Sequence, residues 1–151
     1  MTIYANKTAV SVSQTEGEIR GMLLRYGASA FATGWLAGKA YVLFEAQERR
    51  IRFELAMPTP DDPMFTPKRG KRSPAERAKV CEQEHRARWR ALSLVIKAKL
   101  ESVATGIESF EEAFLAHIVT NDGATFGQLL ASRVAEIATS GRLPPMLGSG
   151  K

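Results

Sequence analysis

The chain has 151 residues, 44% of them hydrophobic and 25% charged, a balance typical of a water-soluble globular protein. No apolar run approaches the ~20 residues that cross a bilayer, so we expect no membrane segment. The first residues lack the regions of a signal peptide, and the single cysteine, Cys81, excludes an intrachain disulfide. We therefore expect a cytoplasmic protein that folds as one domain over residues 1–151.

Positive charge is concentrated in the middle of the chain. The net charge is +5 overall, but residues 66–99 hold eleven Lys and Arg against three Glu, a local net charge of +8. Residues 1–65 are neutral, with seven residues of each sign, and residues 100–151 carry a net charge of −3. A segment of this charge permits an anionic partner.

Four helix starts carry one signature, a Ser or Thr that caps the helix and a Glu or Gln three residues later. They are Ser13 with Glu16, Ser73 with Glu76, Ser109 with Glu112, and Thr125 with Gln128. The first predicts a helix from about Gln14 to Tyr26, ended by Gly27 in the left-handed conformation.

Residues 29–57 are rich in β-forming residues and predict a three-stranded antiparallel meander. Two-residue turns at Ala37-Gly38 and Gln47-Glu48 give a register that places one apolar set on one face. That set is Phe31, Thr33, Trp35, Ala40, Val42, Phe44, Ile51, Phe53 and Leu55. The opposite face would carry Lys39, Tyr41, Leu43, Arg50, Arg52 and Glu54.

Proline and helical periodicity organise the second half. Residues 58–72 predict a Pro-rich basic loop, because five of the seven prolines lie between 58 and 74. One long helix follows from Pro74 to about Ala104, then helices over about 110–118 and 126–139, and a tail over 142–151. The fold class is α+β: an N-terminal helix, the meander, a long basic helix and two shorter C-terminal helices, packed on one sheet face.

Catalytic and metal signatures are absent from the sequence. It contains no glycine-rich phosphate motif, no HExxH and no CxxC, so we expect neither an enzyme nor a cofactor. Cys81 and His85 are four residues apart on the apolar stripe of the long helix, and only His117 adds another nitrogen donor. We interpret the pair as core residues and expect no stoichiometric zinc.

The basic segment is the strongest candidate site. Four cations directly precede the capped long helix, whose amide dipole also favours anions. We predict phosphate contacts from Lys68, Arg69, Lys71, Arg72, Arg77, Lys79, Arg86 and Arg90. The alternative is the solvated face of a soluble helix, with Glu76, Glu82, Glu84 and Glu101 as partial compensation.

A second, smaller surface combines an aromatic ring with cations. Tyr41 would lie among Lys39, Arg50 and Arg52 on the open sheet face, where a ring can stack bases of a single strand. The alternatives are a face covered by a helix and a protein–protein contact.

Several segments resemble a family of small proteins encoded by tailed phages and prophages. They are ANKTAVSV, YGASAF with GWLAGKA, RIRFEL, RWRALSLVIKAKLE, FEEAFLAHIV and LPPML, which together span nearly the whole chain. The resemblance implies expression in the cytoplasm of an infected bacterium and brings no activity or site with it.

A weaker resemblance is to the double-stranded-RNA-binding domain. Its helix, three-stranded meander and second helix entered through a basic cluster are similar to the order predicted here. The resemblance implies that Lys68, Arg69, Lys71, Arg72 and Lys79 grip phosphates. The long Pro-rich loop and the extra C-terminal helices depart from that domain.

These observations lead to two hypotheses of different kinds. The first is a non-enzymatic, phage-encoded protein that binds DNA or RNA, duplex or single-stranded, through residues 66–99. The second is a phage accessory protein that binds and inhibits a host defence or replication protein, since small inhibitors also present charged surfaces. Binding of nucleic acid at two salt concentrations separates them.

Overall fold

The computed structural model describes Ala5 and residues 7–143. The helices are α1 (Val12–Tyr26), α2 (Pro74–Ala104), α3 (Phe110–Phe114), α4 (Phe126–Leu130) and α5 (Val134–Ser140), and the strands are β1 (Ala30–Leu36), β2 (Lys39–Ala46) and β3 (Arg49–Ala56). Short 3-10 helices cover Pro63–Phe65, Leu115–His117 and Ala131–Arg133. This is the predicted α+β class. The predicted tail, residues 142–151, lies almost entirely outside the described residues.

The meander has the predicted register. Phe44 pairs with Phe31 on one side and Ile51 on the other, and the strand order is β1-β2-β3. Both residues of each turn have a positive φ. In the second turn neither residue is glycine: φ is 52° at Gln47 and 61° at Glu48. Such turns match the right-handed twist of the strands and so fix the register of the whole sheet.

The helices cover the apolar face of this sheet. Phe44 and Phe53 meet the ring of Phe114 edge-on, at centroid distances of 5.7 and 6.4 Å. The remaining core comes mainly from α1, β2, β3 and α2: Ile19, Leu23, Val42, Ile51, Trp89, Leu92 and Ile96 are all buried. The core therefore lies between the sheet and α1, α2 and α3.

The start of α1 differs from the prediction. Ser11, not Ser13, is the N-cap, and its hydroxyl accepts the N–H of Gln14 at 3.1 Å. The earlier start adds Val12 to the apolar stripe, seven residues before Ile19, where it packs against the core. Gly27 ends the helix at φ 105°, as predicted.

The C-terminal helices are shorter than predicted. The helix expected over 110–118 ends at Phe114, because Ile118 turns to an extended conformation and bridges Ile51 at the β3 edge. The helix expected over 126–139 is divided into α4 and α5 by a 3-10 turn. α4 packs closely against the 3-10 helix Leu115–His117: a Cβ added at Gly127 would lie 2.8 Å from the Ala116 carbonyl oxygen.

Trp35 lies on the predicted face but outside the core. Its exposed fraction is 72%, and that of its neighbour Leu36 is 69%. β1 is an edge strand, and the helices reach Phe31 at its start without covering its end. Facing the helical layer is therefore not sufficient for burial at the edge of a small sheet.

We expect Phe53→Ala to lower the free energy of unfolding by about 3–5 kcal/mol, because it leaves a cavity beside Phe114. Trp35→Ala, on the same sheet face, should change it by no more than about 0.5 kcal/mol, because the ring is exposed. Urea denaturation measures both. Equal losses for the two variants would show that this account of the core is wrong.

Candidate nucleic-acid interface

The Pro-rich loop packs onto α2 at several points. Pro58 and Phe65 are buried, and the Pro58 carbonyl oxygen lies 3.2 Å from the Cys81 sulfur and 2.7 Å from His85 Nε2. Arg88 donates to the Ala56 carbonyl oxygen just before the loop. Loop and helix are therefore fixed to each other, which would not be expected of a free linker.

Residues 66–72, here called the basic loop, lead directly into the cap of α2. The Ser73 hydroxyl accepts the Glu76 N–H at 3.2 Å, and the Glu76 carboxylate accepts the Ser73 N–H at 3.1 Å. This is the predicted capping box, and those at Ser109 and Thr125 also form. Because Glu76 is engaged at the cap, it does not form an ion pair with the basic loop.

Three cations of the basic loop point into solvent. Lys68, Arg69 and Lys71 are exposed and make no hydrogen bond or ion pair with any described residue. Lys79, on the first turns of α2, is exposed and unpaired in the same way. Their positive charge is not compensated by the parts of the fold that the structure describes.

Arg72 and Arg77 are half-buried beside these free cations. Arg72 donates to the Phe65 carbonyl oxygen at 2.7 Å and so ties the basic loop to a buried aromatic residue. Arg77 Nε is buried without a hydrogen-bond partner among the described residues. The two side chains and Lys71 line a cleft of about 240 Å³ with the backbone around Gly70. The cleft offers donors and no carboxylate.

The later cations of α2 hold the fold together. Arg86 donates to Gln83 Oε1 at 2.8 and 3.1 Å, and Arg90 forms an ion pair with Glu18 of α1. Lys99 donates to the Ala113 carbonyl oxygen at 2.7 Å. The structure thus brings together the loop cations and the first turns of α2, but not Arg86 and Arg90, which lie further along the helix in intramolecular contacts.

The second candidate surface is less basic than predicted. Arg52 is 18% exposed, lies 3.3 Å from Glu54 and donates to the Gly123 carbonyl oxygen at 2.8 Å. Lys39 pairs with Glu54 at 3.4 Å, and Arg50 lies 3.9 Å from Glu45. Tyr41 is half-buried on this face. Each cation therefore already has an acidic neighbour, which weakens its attraction for phosphate.

Cys81 and His85 form a structural contact with the loop. Both lie against the Pro58 carbonyl oxygen, and a carbonyl only accepts, so His85 Nε2 must carry its proton and cannot deprotonate the thiol. Burial raises the pKa of the Cys81 thiol, and the carboxylates of Glu82 and Asp62 raise it further. Neither condition suits a nucleophile. Among the described residues, no three His, Cys, Asp or Glu side chains cluster as metal ligands.

The anchoring of the basic loop was not predicted from the sequence. It depends on Phe65, which is 2% exposed, and on the contact of Arg72 with its carbonyl group. The signal that could have indicated it is the apolar pair Met64-Phe65 within an otherwise polar, Pro-rich stretch.

Comparisons of the chain with protein-family profiles, curated proteins and solved structures find no match. In the described part of the chain, no helix has the length and apolar character that crossing a bilayer requires.

His117 gives a pH-dependent prediction. Its ring stacks on Phe53 with a centroid distance of 4.0 Å. Burial lowers the pKa of His117, and the positive charge of Lys99 lowers it further. A hydrogen bond with the Arg52 backbone raises the pKa and so partly opposes these two effects. Protonation then favours the unfolded state, so stability should fall as the pH drops below the ordinary value of about 6.5. One proton contributes at most about 1.4 kcal/mol per pH unit, and the half-buried ring less.

The matched variant is His117→Phe, which keeps an aromatic ring on Phe53 without a titrating group. Urea midpoints between about pH 7 and about pH 5 should decrease less in this variant than in the wild type. Glu112, whose pKa is lowered by hydrogen bonds with Ser109, acts below this range. Identical pH dependence in the two proteins would contradict the assignment.

Proposed function

We propose that the protein binds nucleic acid through the basic loop and the first turns of α2, without catalysing a reaction. One observation carries the proposal: Lys68, Arg69 and Lys71 lie close together in the sequence, exposed and without an ion-pair partner among the described residues, on a loop that is fixed to the core. Unpaired cations attract phosphates without first losing an internal partner, and binding releases counterions from the nucleic acid.

Anchoring of the loop supports the proposal further. A mobile linker would lose conformational freedom on binding, whereas a loop held by Phe65 and Arg72 loses less. Arg77 also lines this cleft, so the positive charge of its guanidinium adds to that of the loop cations for an anion bound there.

The proposed contact residues are fewer than the sequence suggested. They are Lys68, Arg69, Lys71, Arg77 and Lys79, with Arg72 in a supporting position. The element order α1-β1-β2-β3-α2 is also that of the double-stranded-RNA-binding domain, which favours a duplex. An origin in a phage, and action in the bacterial cytoplasm, remain part of the proposal.

The test is the salt dependence of binding. The triple variant Lys68→Ala, Arg69→Ala and Lys71→Ala should flatten the slope of log K against log salt on duplex DNA by up to about 2.7, from three contacts of about 0.9 each. Affinity should fall equally on unrelated sequences, because phosphates carry no sequence information. Fluorescence anisotropy with duplex DNA, duplex RNA and a single strand, each at several salt concentrations, measures both.

A second triple variant controls for net charge. Arg20→Ala, Arg25→Ala and Lys97→Ala removes three exposed cations elsewhere and lowers the net charge by the same amount. Its slope should remain close to that of the wild type. If both variants lose slope equally, binding follows net charge and the proposed site is wrong.

The host-protein hypothesis is the other outcome of this experiment. If the wild-type protein binds none of the three nucleic acids at low salt, the proposed function is wrong. The uncompensated cations would then be assigned to an acidic protein surface. Capture of a bacterial protein after nuclease treatment, lost in the Lys68, Arg69 and Lys71 variant, would identify that surface.

A further inference from the structure

β1 leaves one edge of the sheet open. β2 pairs along its inner side, and no described residue pairs with its outer side. The opposite edge is different, because Ile118 bridges Ile51 and the Val119 N–H bonds to the Arg50 carbonyl oxygen at 2.8 Å. Among the described residues, part of the β3 edge is therefore paired, whereas the outer backbone groups of β1 have no partner.

The register shows which backbone groups are unpaired. Leu36 and Lys39 close a two-residue turn, so the even-numbered residues of β1 exchange hydrogen bonds with β2. The N–H and C=O groups of Phe31, Thr33 and Trp35 must then point to the open edge. Three donors and three acceptors alternate along it.

β1 lacks the features that usually prevent edge pairing. Natural edge strands carry Lys, Pro or inward-pointing charges, whereas AFATGWL contains neither a charged residue nor proline. At its end Trp35 is 72% exposed and Leu36 69% exposed. An apolar, uncharged and unpaired strand is a template for a further strand.

We propose that the occupant is β1 of a second copy of this chain, paired antiparallel about a two-fold axis through Thr33. This register aligns all seven residues of both strands without overhang and satisfies all three outward N–H groups of each copy, giving six hydrogen bonds. Phe31 of one copy then lies opposite Trp35 of the other, on the face toward the helices, and Ala30 lies opposite Leu36.

Self-complementarity favours a second copy over another partner. Each copy carries a net charge of +5, so two copies repel each other unless they meet at a surface without cations. β1 is such a surface, because it contains no charged residue. In the two-fold arrangement, the half-buried Phe31 of each copy forms a cross-strand aromatic pair with the exposed Trp35 of the other copy.

The size of the contact sets its strength. Aromatic side chains bury about 150–250 Å² each, so four of them and two short strands give a contact near or below the roughly 1,200 Å² of the smallest stable interfaces. We therefore expect a reversible, concentration-dependent dimer.

The test is sedimentation equilibrium of the nuclease-treated full chain over a wide concentration range. The wild type should shift from monomer to dimer mass, and Thr33→Pro should remain monomeric. This proline removes an N–H that points away from β2, so the hairpin keeps its own bonds. Trp35→Lys, which places a charge in the contact without opening the core, is a second variant should the proline disturb folding.

Ile107→Lys is the matched control, because Ile107 is 79% exposed, lies outside the sheet and receives the same charge. It should dimerise like the wild type. A wild type that stays monomeric at every concentration overturns the proposal. Dimers that persist in both β1 variants overturn it too, because another surface must then form them.

Amide hydrogen exchange tests the register independently of mass. Raising the concentration should slow exchange at Phe31, Thr33 and Trp35 only, since the alternate amides of β1 are already bonded to β2. Slowing at other positions with none at these three would overturn strand pairing.

Discussion

The fold depends on packing a helix that is longer than its sheet. α2 has 31 residues and extends about 46 Å at 1.5 Å per residue, whereas strands of seven or eight residues extend about 25 Å. Its buried residues lie between Cys81 and Ile96, a stretch that the sheet and its neighbouring elements can cover. The two ends of α2 must be stabilised by something other than the sheet.

The excess length explains the positions of the charges. Where α2 crosses other elements, its cations are engaged by the fold: Lys99 donates to the Ala113 carbonyl oxygen and Arg90 pairs with the Glu18 carboxylate. Where α2 extends beyond the sheet, the Pro-rich loop supplies the contacts through Pro58 and Phe65. The acidic residues of this loop, Asp61 and Asp62, form no ion pair with its cations, and Asp62 instead accepts the N–H of Met64. Among the described residues the cations at this end therefore remain uncompensated.

Local patterns predicted the elements well. The meander register follows from alternation and turn spacing, which are properties of neighbouring residues, and three of the four capping boxes form for the same reason. Ser11 and Ser13 both fit the local pattern, and the cap at Ser11 brings the partly buried Val12 into the helix, where it packs against the core. The helices break after Phe114 and Leu130 because of contacts with distant residues. Helical periodicity in the sequence reports only on neighbouring residues, so it could not predict these breaks.

The candidate site was less predictable for the same physical reason. Charge along the sequence identified a basic segment, but a cation is available only if no partner folds against it. Arg90 meets Glu18 from 72 residues away, and Arg52 meets Gln128 from 76. Five of the twelve residues proposed from the sequence have side-chain partners in the fold: Lys39, Arg50, Arg52, Arg86 and Arg90. Lys68, Arg69 and Lys71, by contrast, form no ion pair with any described residue.

The bridge between Ile118 and Ile51 has a consequence for assembly. A sheet that grows by strand addition needs, on each added protomer, one open edge to pair with the existing sheet and a second open edge to pair with the next protomer. The proposed two-fold pairing uses the outer side of β1 in both copies, and Ile118 and Val119 already occupy part of the β3 edge. The proposed association through β1 would therefore close at two copies, because a two-fold contact uses the same surface of both partners and leaves no β1 edge for a third.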